Sequence, residues 1–413
     1  MSLEDTLTRT FESRLDAVEM SAGDVEGARS AGRRLRARRR VTAGVAAVVV
    51  AAAGVAGIVV SGEPHSDQPS GRVGQWHELP TPPLSPRADS LAVWTGREVV
   101  VLGGLTELCP PGADCAVVGG LLRDGAAYDP STSSWRAIPP APVGVGPGDR
   151  LVVADGVVVL HKGLSHGRSA WYTYEPDHNR WSRIEGVPAT VDGQPSAVGA
   201  RVYVTAGRRV AVYDVTRFRW SLLPPDRNRP ALAQRTVTAT SVGPVVAGVD
   251  ATKPNDGIEP SLVLADRWDG TSWVRLPASD QLGNAFSWTG TRLVDPDPYS
   301  ENGGEVNGWG RDIPQGGTLD PVAGQWGTLP AALTGDPSGW SVSASGGAWF
   351  ATAGQVLDDD TQQVSTLPRP DGAPDYGVTG AWADGRLLAF GGADSTRGYS
   401  GDALTHRAWL YTP

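Results

Sequence analysis

One short pattern recurs along the chain and constrains its fold more than any other feature. It consists of an aromatic residue, two spacers, an aliphatic residue and a proline. It reads WHELP from Trp76, WRAIP from Trp135, WSLLP from Trp220, WVRLP from Trp273 and WGTLP from Trp326. A looser copy, WSRIEGVP, starts at Trp181, and VSTLP starts at Val364 without the tryptophan. Short β-like units repeated every roughly 40 to 60 residues indicate a repeat architecture.

Each copy of the pattern ends a unit that contains four short strands. An apolar run ends in a tight turn and is followed at once by a second run, as where SLAVW turns at Thr95-Gly96 into REVVVLGG. A third strand such as GAAYDP (125–130) then leads to the fourth. The other first turns are at Asp155-Gly156, Gly199-Ala200, Gly243-Pro244, Thr289-Gly290, Gly346-Gly347 and Asp384-Gly385. Most of these dipeptides favour two-residue hairpins, so each unit is predicted to be an antiparallel sheet.

The two ends of the repeat region predict how the sheets are arranged. The seventh unit stops after its third strand, RAWLYTP (407–413), whereas WHELP (76–80) precedes the first hairpin. If the chain closes into a ring, WHELP completes the last sheet and removes its open edge. We therefore predict an all-β fold for residues 74–413: a seven-bladed β-propeller of four-stranded blades, closed by an N-terminal strand.

The units also resemble a known family. A double glycine follows the second strand at Gly103-Gly104 and at Gly391-Gly392, one third strand ends in Tyr128-Asp129-Pro130, and a tryptophan opens most fourth strands. These features are similar to kelch repeats of the galactose-oxidase-type propeller, although five units lack the double glycine. The resemblance implies the propeller fold. For function it implies binding of proteins or carbohydrates, with enzymes as a minority.

Three segments are predicted in front of the propeller. Residues 1–40 carry an apolar stripe at three- and four-residue steps, which is typical of a helix, and a weakly structured tail is the alternative. Residues 41–60 are uncharged and apolar. Twenty residues at about 1.5 Å each match a bilayer core of about 30 Å, which predicts one transmembrane helix. Residues 61–73 are polar with Gly, Pro and Ser and indicate a linker.

The charge pattern orients this predicted single-pass protein in the cell membrane. Six arginines in residues 33–40 precede the apolar segment, so the N-terminus is expected in the cytosol and the propeller outside. We favour an uncleaved anchor over a cleaved signal peptide, because 40 residues are long for an n-region and no clear A-x-A site follows. A twin-arginine export signal at 38–40 is a minor alternative.

The charge balance also bears on partners. Residues 61–413 hold 27 basic against 38 acidic side chains, which argues against nucleic acid because phosphates require a basic surface. The expected partners are the lipid bilayer through residues 41–60, a protein or cell-envelope polysaccharide outside, and a cytosolic partner of residues 1–40. The stripe in residues 1–40 is also compatible with lying on the membrane surface.

The two cysteines lie in one loop. Cys109 and Cys115 flank a Pro-Pro-Gly turn in CPPGADC, outside the membrane by the predicted topology. An oxidising compartment permits a disulfide, so we predict a local Cys109–Cys115 bridge. Two cysteines without a nearby histidine supply too few ligands for zinc.

Motifs that indicate catalysis are scarce, and no catalytic residue is predicted. The resemblance to galactose oxidase would imply a copper site with Tyr and His ligands and a Tyr–Cys crosslink, but both cysteines lie in one loop and the six histidines form no obvious cluster. WDGTSW (268–273) has Trp268 where the sialidase box has an aspartate, so we interpret it as a turn. No phosphate-binding glycine loop, nucleophile elbow or zinc-binding histidine pair is found.

Loop lengths indicate the binding surface. Second-to-third connections share one face of a propeller, and here they are long at 105–124, 250–260, 295–315 and 393–405. Variable loops on a rigid scaffold are typical of recognition surfaces. The predicted binding residues lie in the 295–315 loop and are Asp295, Asp297, Tyr299, Glu301, Glu305 and Trp309. We favour solvated carboxylates there over a calcium site, which is the alternative; no other cofactor is predicted.

These observations predict a membrane-anchored extracytoplasmic binding module that recognises a protein or a cell-envelope polymer through the long loops. The alternative from another class is an extracellular carbohydrate-active hydrolase or lyase. It would use loop carboxylates, because glycoside hydrolysis needs two facing carboxyl groups.

Overall fold

The computed structural model describes residues 74–107, 120–163, 169–226, 232–252, 260–298, 313–398 and 401–413. The chain divides into two units, Met1–Pro69 and Ser70–Pro413, and all described residues belong to the second. The predicted segments 1–40, 41–60 and 61–73 and the predicted Cys109–Cys115 disulfide lie outside the described residues. No helix in the described part of the chain is long and apolar enough to cross a membrane.

Strands dominate the described residues and form seven antiparallel sheets of four strands each. We number the sheets as blades 1 to 7 in the order of their first strands. The first strands are β2 (Leu91–Trp94), β6 (Arg150–Ala154), β10 (Ser196–Val198), β14 (Leu232–Thr238), β18 (Ser287–Trp288), β22 (Ala344–Gly346) and β26 (Thr379–Ala383). The second strands are β3 (Val99–Leu102), β7 (Val157–Gly163), β11 (Arg201–Ala206), β15 (Val245–Asp250), β19 (Leu293–Asp295), β23 (Trp349–Thr352) and β27 (Arg386–Phe390).

The outer half of each blade follows the same scheme. The third strands are β4 (Gly125–Asp129), β8 (Ser169–Glu175), β12 (Arg209–Asp214), β16 (Val263–Trp268), β20 (Gly317–Asp320), β24 (Gln355–Asp358) and β28 (Ala408–Thr412). The fourth strands are β5 (Ser134–Ile138), β9 (Arg180–Arg183), β13 (Arg219–Leu222), β17 (Trp273–Arg275), β21 (Gln325–Gly327), β25 (Gln363–Thr366) and β1 (Gln75–Glu78). Two single-turn 3-10 helices, Ser395–Arg397 and Gly401–Ala403, lie between β27 and β28.

The predicted ring closure is confirmed. β1 pairs with β28 in the register Gln75↔Thr412 to Glu78↔Trp409, so the first strand of the chain is the fourth strand of blade 7. First strands of neighbouring blades contact each other, including β2 with β26, which places them innermost around a central channel. The closure therefore joins the first and last strands of the propeller by main-chain hydrogen bonds within blade 7, so that the edge of β28 is covered.

The first turns have two, four or six residues, which corrects part of the hairpin prediction; the six-residue turn is 239–244 in blade 4, where the sequence predicts Gly243-Pro244. Asp155-Gly156 and Asp384-Gly385 form two-residue turns, and both residues of each turn have positive φ, as a type I′ turn requires. Blades 1 and 5 instead have four-residue turns, because the hydroxyls of Thr95 and Thr289 accept hydrogen bonds from the backbone N–H three residues later, at 3.1 and 3.2 Å. In blade 6 the turn lies one residue later than predicted, after Gly346.

Apolar clusters fill the spaces between neighbouring blades. In β3, Val99 and Val101 pack into the cluster shared with blade 7, whereas Val100 and Leu102 pack into the cluster shared with blade 2. Both faces of such a strand are therefore buried, which explains why the second strands are continuous apolar runs rather than alternating ones.

The recurring tryptophan and proline are joined across blade boundaries. The indole N–H of a fourth-strand tryptophan donates to the carbonyl of the proline that ends the pattern in the preceding blade. The pairs are Trp76 with Pro368 at 2.6 Å, Trp181 with Pro139 at 2.9 Å, Trp273 with Pro224 at 2.9 Å and Trp326 with Pro277 at 2.8 Å. The pattern thus encodes a hydrogen bond between neighbouring blades, and Trp76 of the closing strand forms it between blades 7 and 6.

Two fourth-strand tryptophans lack this bond. The indole nitrogens of Trp135 and Trp220 are buried without a hydrogen-bond partner in the described residues. For Trp220 the reason lies in the preceding unit, where the looser sequence IEGVP moves the proline to position 188, away from Ile184. Nothing in the structure explains the missing bond at Trp135.

Candidate functional site

The two faces of the propeller carry different connections. The short-turn face holds the first-to-second and third-to-fourth turns, each two to six residues long. The long-loop face holds the connections between blades and the second-to-third connections 103–124, 164–168, 207–208, 251–262, 296–316, 353–354 and 391–407. The long connections belong to blades 1, 4, 5 and 7, as the sequence predicts, and blades 3 and 6 have only two-residue turns there.

Asp295 occupies a different environment from the one expected of a loop carboxylate. It ends strand β19 and is 2% exposed, so it is not a solvated side chain. Its carboxylate accepts hydrogen bonds from the backbone N–H of Ala285 at 2.9 Å and of Asp297 at 3.3 Å, and burial raises its pKa. The carbonyl of Asp297 in turn accepts from Gly316 N–H at 3.0 Å. Asp295 therefore ties the connection from blade 4 to the base of the long loop in blade 5.

The remaining predicted binding residues, Tyr299, Glu301, Glu305 and Trp309, lie outside the described residues, and their role stays a prediction. The alternative of a calcium ion in this loop stays a prediction for the same reason. Within the part of the chain that the structure describes, no group of three or more His, Cys, Asp or Glu side chains is placed to hold a metal ion.

The loop of blade 1 is held at its base by an ion pair in which Arg87 is buried and Asp124 is partly exposed. Arg87 is 0% exposed, and its guanidinium donates to both oxygens of Asp124 at 2.9 and 2.7 Å. It also donates to the carbonyl and hydroxyl of Ser85 and to the carbonyl of Gly103. These bonds lower the pKa of Asp124, which keeps its charge opposite the buried cation. The beginning and end of the 103–124 connection are thereby held together.

The loop of blade 7 is anchored by a second set of contacts. Asp375 accepts hydrogen bonds from the backbone N–H of Ser395 at 2.8 Å and from its hydroxyl. Ala393 packs with Ala403 and with Ala88 of the connection into blade 1. Because blades 7 and 1 are neighbours through the ring closure, their long loops start from adjoining, fixed positions.

Polar side chains lie at the long-loop end of the central channel. A cavity of about 970 Å³ in the channel is lined there by Arg150, Asp192, Gln194, Arg235 and Asn284. Arg150 donates to the side-chain carbonyl of Gln194 at 2.6 Å, which links blades 2 and 3. Sequence analysis did not select these residues, since each stands alone in its repeat and only the ring brings them together.

One of these residues, Arg235, is positioned by a β-bulge. The register of β14 against β15 shifts between Ala233 and Thr236, and Gln234 has a φ of 50°. The bulge directs Arg235 to Asp226, with which it forms an ion pair whose side chains are 10% and 4% exposed. Burial lowers the pKa of Arg235. Bulges are frequent where a strand must redirect one side chain near a site.

The long-loop face therefore combines two features among the described residues. The bases of three long loops, in blades 5, 1 and 7, are held by hydrogen bonds, and the channel opens there between polar side chains. Such an arrangement presents variable loops without moving the scaffold, and suits recognition of a surface or a chain-like ligand. No protein-family model matches this chain, and no curated protein sequence matches it.

Proposed function

We propose that the chain is a membrane-anchored, non-catalytic binding module whose propeller recognises a protein or a cell-envelope polymer through the long-loop face on the outer side of the membrane. The propeller fold is compatible with an interaction module. The observation that carries the proposal is the confinement of the long loops to one face, with buried polar contacts at their bases. Loops held in this way bind at a lower entropic cost than loops with free ends.

The point at which the chain enters the propeller supports the same assignment. Gln75 pairs with Thr412 at the end of the third strand of blade 7, which lies on the short-turn face. The long-loop face is therefore opposite the entry point of the chain. A membrane anchor at residues 41–60 and a linker at 61–73 form part of the proposal and rest on the sequence pattern.

A kelch-type repeat is also part of the proposal. Gly103 has a φ of 68° and Gly104 a φ of 109°, and a Cβ on Gly103 would lie 2.3 Å from the carbonyl oxygen of Val145. Gly391 and Gly392 have φ values of 66° and 103°. Glycine is thus required at both positions of both double-glycine motifs, which supports a shared repeat type.

Capture of ligand by the full-length protein in its own cells tests the long-loop face. In the test variant, Arg397→Ala is combined with Asp402→Ala; both are exposed residues of the blade 7 loop. The matched control combines Arg97→Ala with Asp177→Ala, an exposed ion pair on the short-turn face. We expect the test variant to recover several-fold less protein or envelope polymer than the control, with unchanged thermal stability in both.

Equal capture by both variants, or a loss only in the short-turn control, would contradict the assigned face. Hydrolysis or elimination of a glycan by the purified full-length protein would replace the binding module with an enzyme. The anchor is tested separately by alkaline extraction of membranes, in which an integral protein stays in the pellet and a peripheral or exported one is released.

A further inference from the structure

The channel has a second opening, on the short-turn face, with a different lining. A cavity of about 890 Å³ extends between the first strands of blades 6, 7, 1 and 2. Trp94, the last residue of β2, and Trp349, the first residue of β23, line it at the short-turn end together with Trp382. The adjoining channel cavity has Trp288, the last residue of β18, in its lining, and five residues line both cavities: Arg150, Val153, Ser345, Gly346 and Gly347. We call Trp94, Trp288 and Trp349 the channel tryptophans.

The channel tryptophans offer both a ring surface and a hydrogen-bond donor. All three are partly exposed, and their indole N–H groups make no hydrogen bond to any residue that the structure describes. Trp382 differs, because it is 4% exposed and donates to the carbonyl of Ala344 at 3.3 Å. Trp349 is stacked on Trp382, with ring centroids 5.4 Å apart and an interplanar angle of 27°, which fixes its orientation.

Hydrogen-bond acceptors lie in the same cavity. Asp360 and Asp384 are exposed turn residues that line it, and neither carboxylate forms a hydrogen bond or an ion pair with the described residues. The turn of Asp384 is close to the aromatic wall, since a Cβ on Gly385 would lie 3.8 Å from the indole nitrogen of Trp349. This cavity extends along the channel to Arg150 at the long-loop end, where the guanidinium is already bonded to Gln194 and to the carbonyl of Asp149.

The opening therefore combines aromatic faces, unbonded N–H donors and unbonded carboxylate acceptors. A sugar matches all three, because its C–H faces stack on indole rings while its hydroxyl groups both accept and donate hydrogen bonds. An organic cation would use the ring faces and carboxylates but has no acceptor for the indole N–H groups. The cavity volume lies within the range of about 300 to 1,000 Å³ that is usual for small-ligand sites.

We propose that this opening is a saccharide-binding site that takes the end of a neutral glycan chain. Trp94 and Trp349 stack on the sugar rings, Trp288 extends the aromatic surface into the adjoining cavity, and Asp360 and Asp384 accept hydrogen bonds from hydroxyl groups. The site lies on the face opposite the long loops and does not depend on the function proposed for them. Binding there needs no catalysis and no metal ion.

Titration calorimetry of the full-length protein tests the site. The probes are cellotetraose, mannotetraose, maltotetraose and tetra-N-acetylchitotetraose, with tetramethylammonium as the organic cation. We expect at least one tetrasaccharide to bind and the Trp94→Ala, Trp349→Ala double variant to bind it at least tenfold more weakly. The matched control is Trp268→Ala, which removes a partly exposed tryptophan that lies outside the channel, and should leave the affinity unchanged.

A second variant tests whether weaker binding arises from the site itself and not from a loss of stability. Trp94→Phe keeps an aromatic ring in the wall and removes the N–H group, so affinity should fall several-fold with no change in the melting temperature. The proposal is overturned if none of the tetrasaccharides binds, if Trp268→Ala weakens binding as much as the double variant, or if tetramethylammonium binds and the sugars do not.

Discussion

The outer strands and the channel of this propeller use tryptophan in opposite ways. In the fourth strands, the indole N–H groups of Trp76, Trp181, Trp273 and Trp326 are bonded to a proline carbonyl of the preceding blade. In the channel, Trp94, Trp288 and Trp349 leave the same group without a partner among the described residues. The bonded N–H groups stabilise the contacts between blades, whereas the channel tryptophans are partly exposed, so that the ligand proposed above can reach their N–H groups.

The same contrast separates the two faces of the propeller. Next to the long loops, Arg87 is fully buried, and its guanidinium is bonded to Asp124, Ser85 and Gly103. At the short-turn end, the carboxylate of Asp384 is exposed and unbonded among the described residues. Removal of a polar group that is hydrogen-bonded within the protein should lower stability. Removal of a polar group without such a bond should instead weaken ligand binding. The following changes test this division, from the largest expected effect to the smallest.

Asp124→Ala leaves the buried guanidinium of Arg87 without its carboxylate. We expect the free energy of unfolding to fall by about 3 kcal/mol, because an unpaired buried charge is strongly unfavourable. The measurement is chemical denaturation of the full-length protein. Asp177→Ala is the control, since its ion pair with Arg97 is exposed, and it should cost less than about 0.5 kcal/mol. Similar losses in both variants would contradict a structural role for Arg87.

Acid should lower the stability through a largely buried histidine in blade 2. His161 is stacked on Trp171, with ring centroids 4.3 Å apart, and burial lowers its pKa to about 4 despite nearby Asp149. The unfolded chain binds this proton near pH 6.5. The contribution of the neutral ring is therefore present above about pH 6.5 and is lost as the pH falls from 6.5 towards 4, by at most about 3 kcal/mol and less because the ring is partly exposed.

His161→Phe removes the titrating group and keeps a ring against Trp171. The loss of unfolding free energy between pH 7 and pH 5 should be smaller in this variant than in the native protein. His77→Gln, at an exposed position of β1, is the control and should retain the native pH dependence. An unchanged slope in His161→Phe would show that the acid sensitivity arises elsewhere.

Replacement of a fourth-strand tryptophan by phenylalanine keeps an aromatic ring and removes the indole N–H group, so it tests the contribution of the indole hydrogen bond to stability. Trp181→Phe loses the bond to Pro139 and should cost about 1 kcal/mol beyond the smaller ring size. Trp220→Phe has no such bond to lose and instead removes a buried, unbonded N–H, so it should cost less. The contribution of the hydrogen bond is measured as the difference between the midpoints of denaturation of the two variants. Equal midpoints would mean that this bond does not stabilise the fold.

Trp288→Phe provides the smallest expected effect on stability. Its N–H group is already open, so the free energy of unfolding should change by less than about 0.5 kcal/mol. A loss as large as that of Trp181→Phe would mean that the channel tryptophans also hold the blades together and are not reserved for a ligand.

Much of the fold can be predicted because its signals are local and repeated. Turn dipeptides, apolar runs and the tryptophan–proline pattern recur in each unit, and the displaced WHELP predicts the closure that β1 and β28 show. The hydrogen bond within the pattern was not predictable, since it joins different repeats: its partners are 42 positions apart in Trp181 with Pro139 and 292 apart in Trp76 with Pro368.

The site is less predictable, because it depends on contacts between units. The sequence around Asp295 is typical of a polar loop. In the structure Asp295 is the last residue of β19, and its carboxylate accepts a hydrogen bond from the backbone N–H of Ala285. The bulge that directs Arg235 has no local sequence signal. For the channel tryptophans a signal did exist: Trp94 and Trp288 both stand directly before Thr-Gly at the first turn, a repeated position that differs from the fourth-strand pattern.

The most direct test of the binding module is site-specific photo-crosslinking of the full-length protein in its own cells. A crosslinking residue at Arg397 or Leu121 reports on the long-loop face, and one at Val322, which is 64% exposed, reports on the short-turn face. We expect Arg397 and Leu121 to crosslink to one and the same protein or envelope polymer, and we expect Val322, in the blade 5 turn outside the cavity with the channel tryptophans, not to crosslink to it. Adducts from Val322 alone, or the same adducts from both faces, would contradict recognition through the long loops.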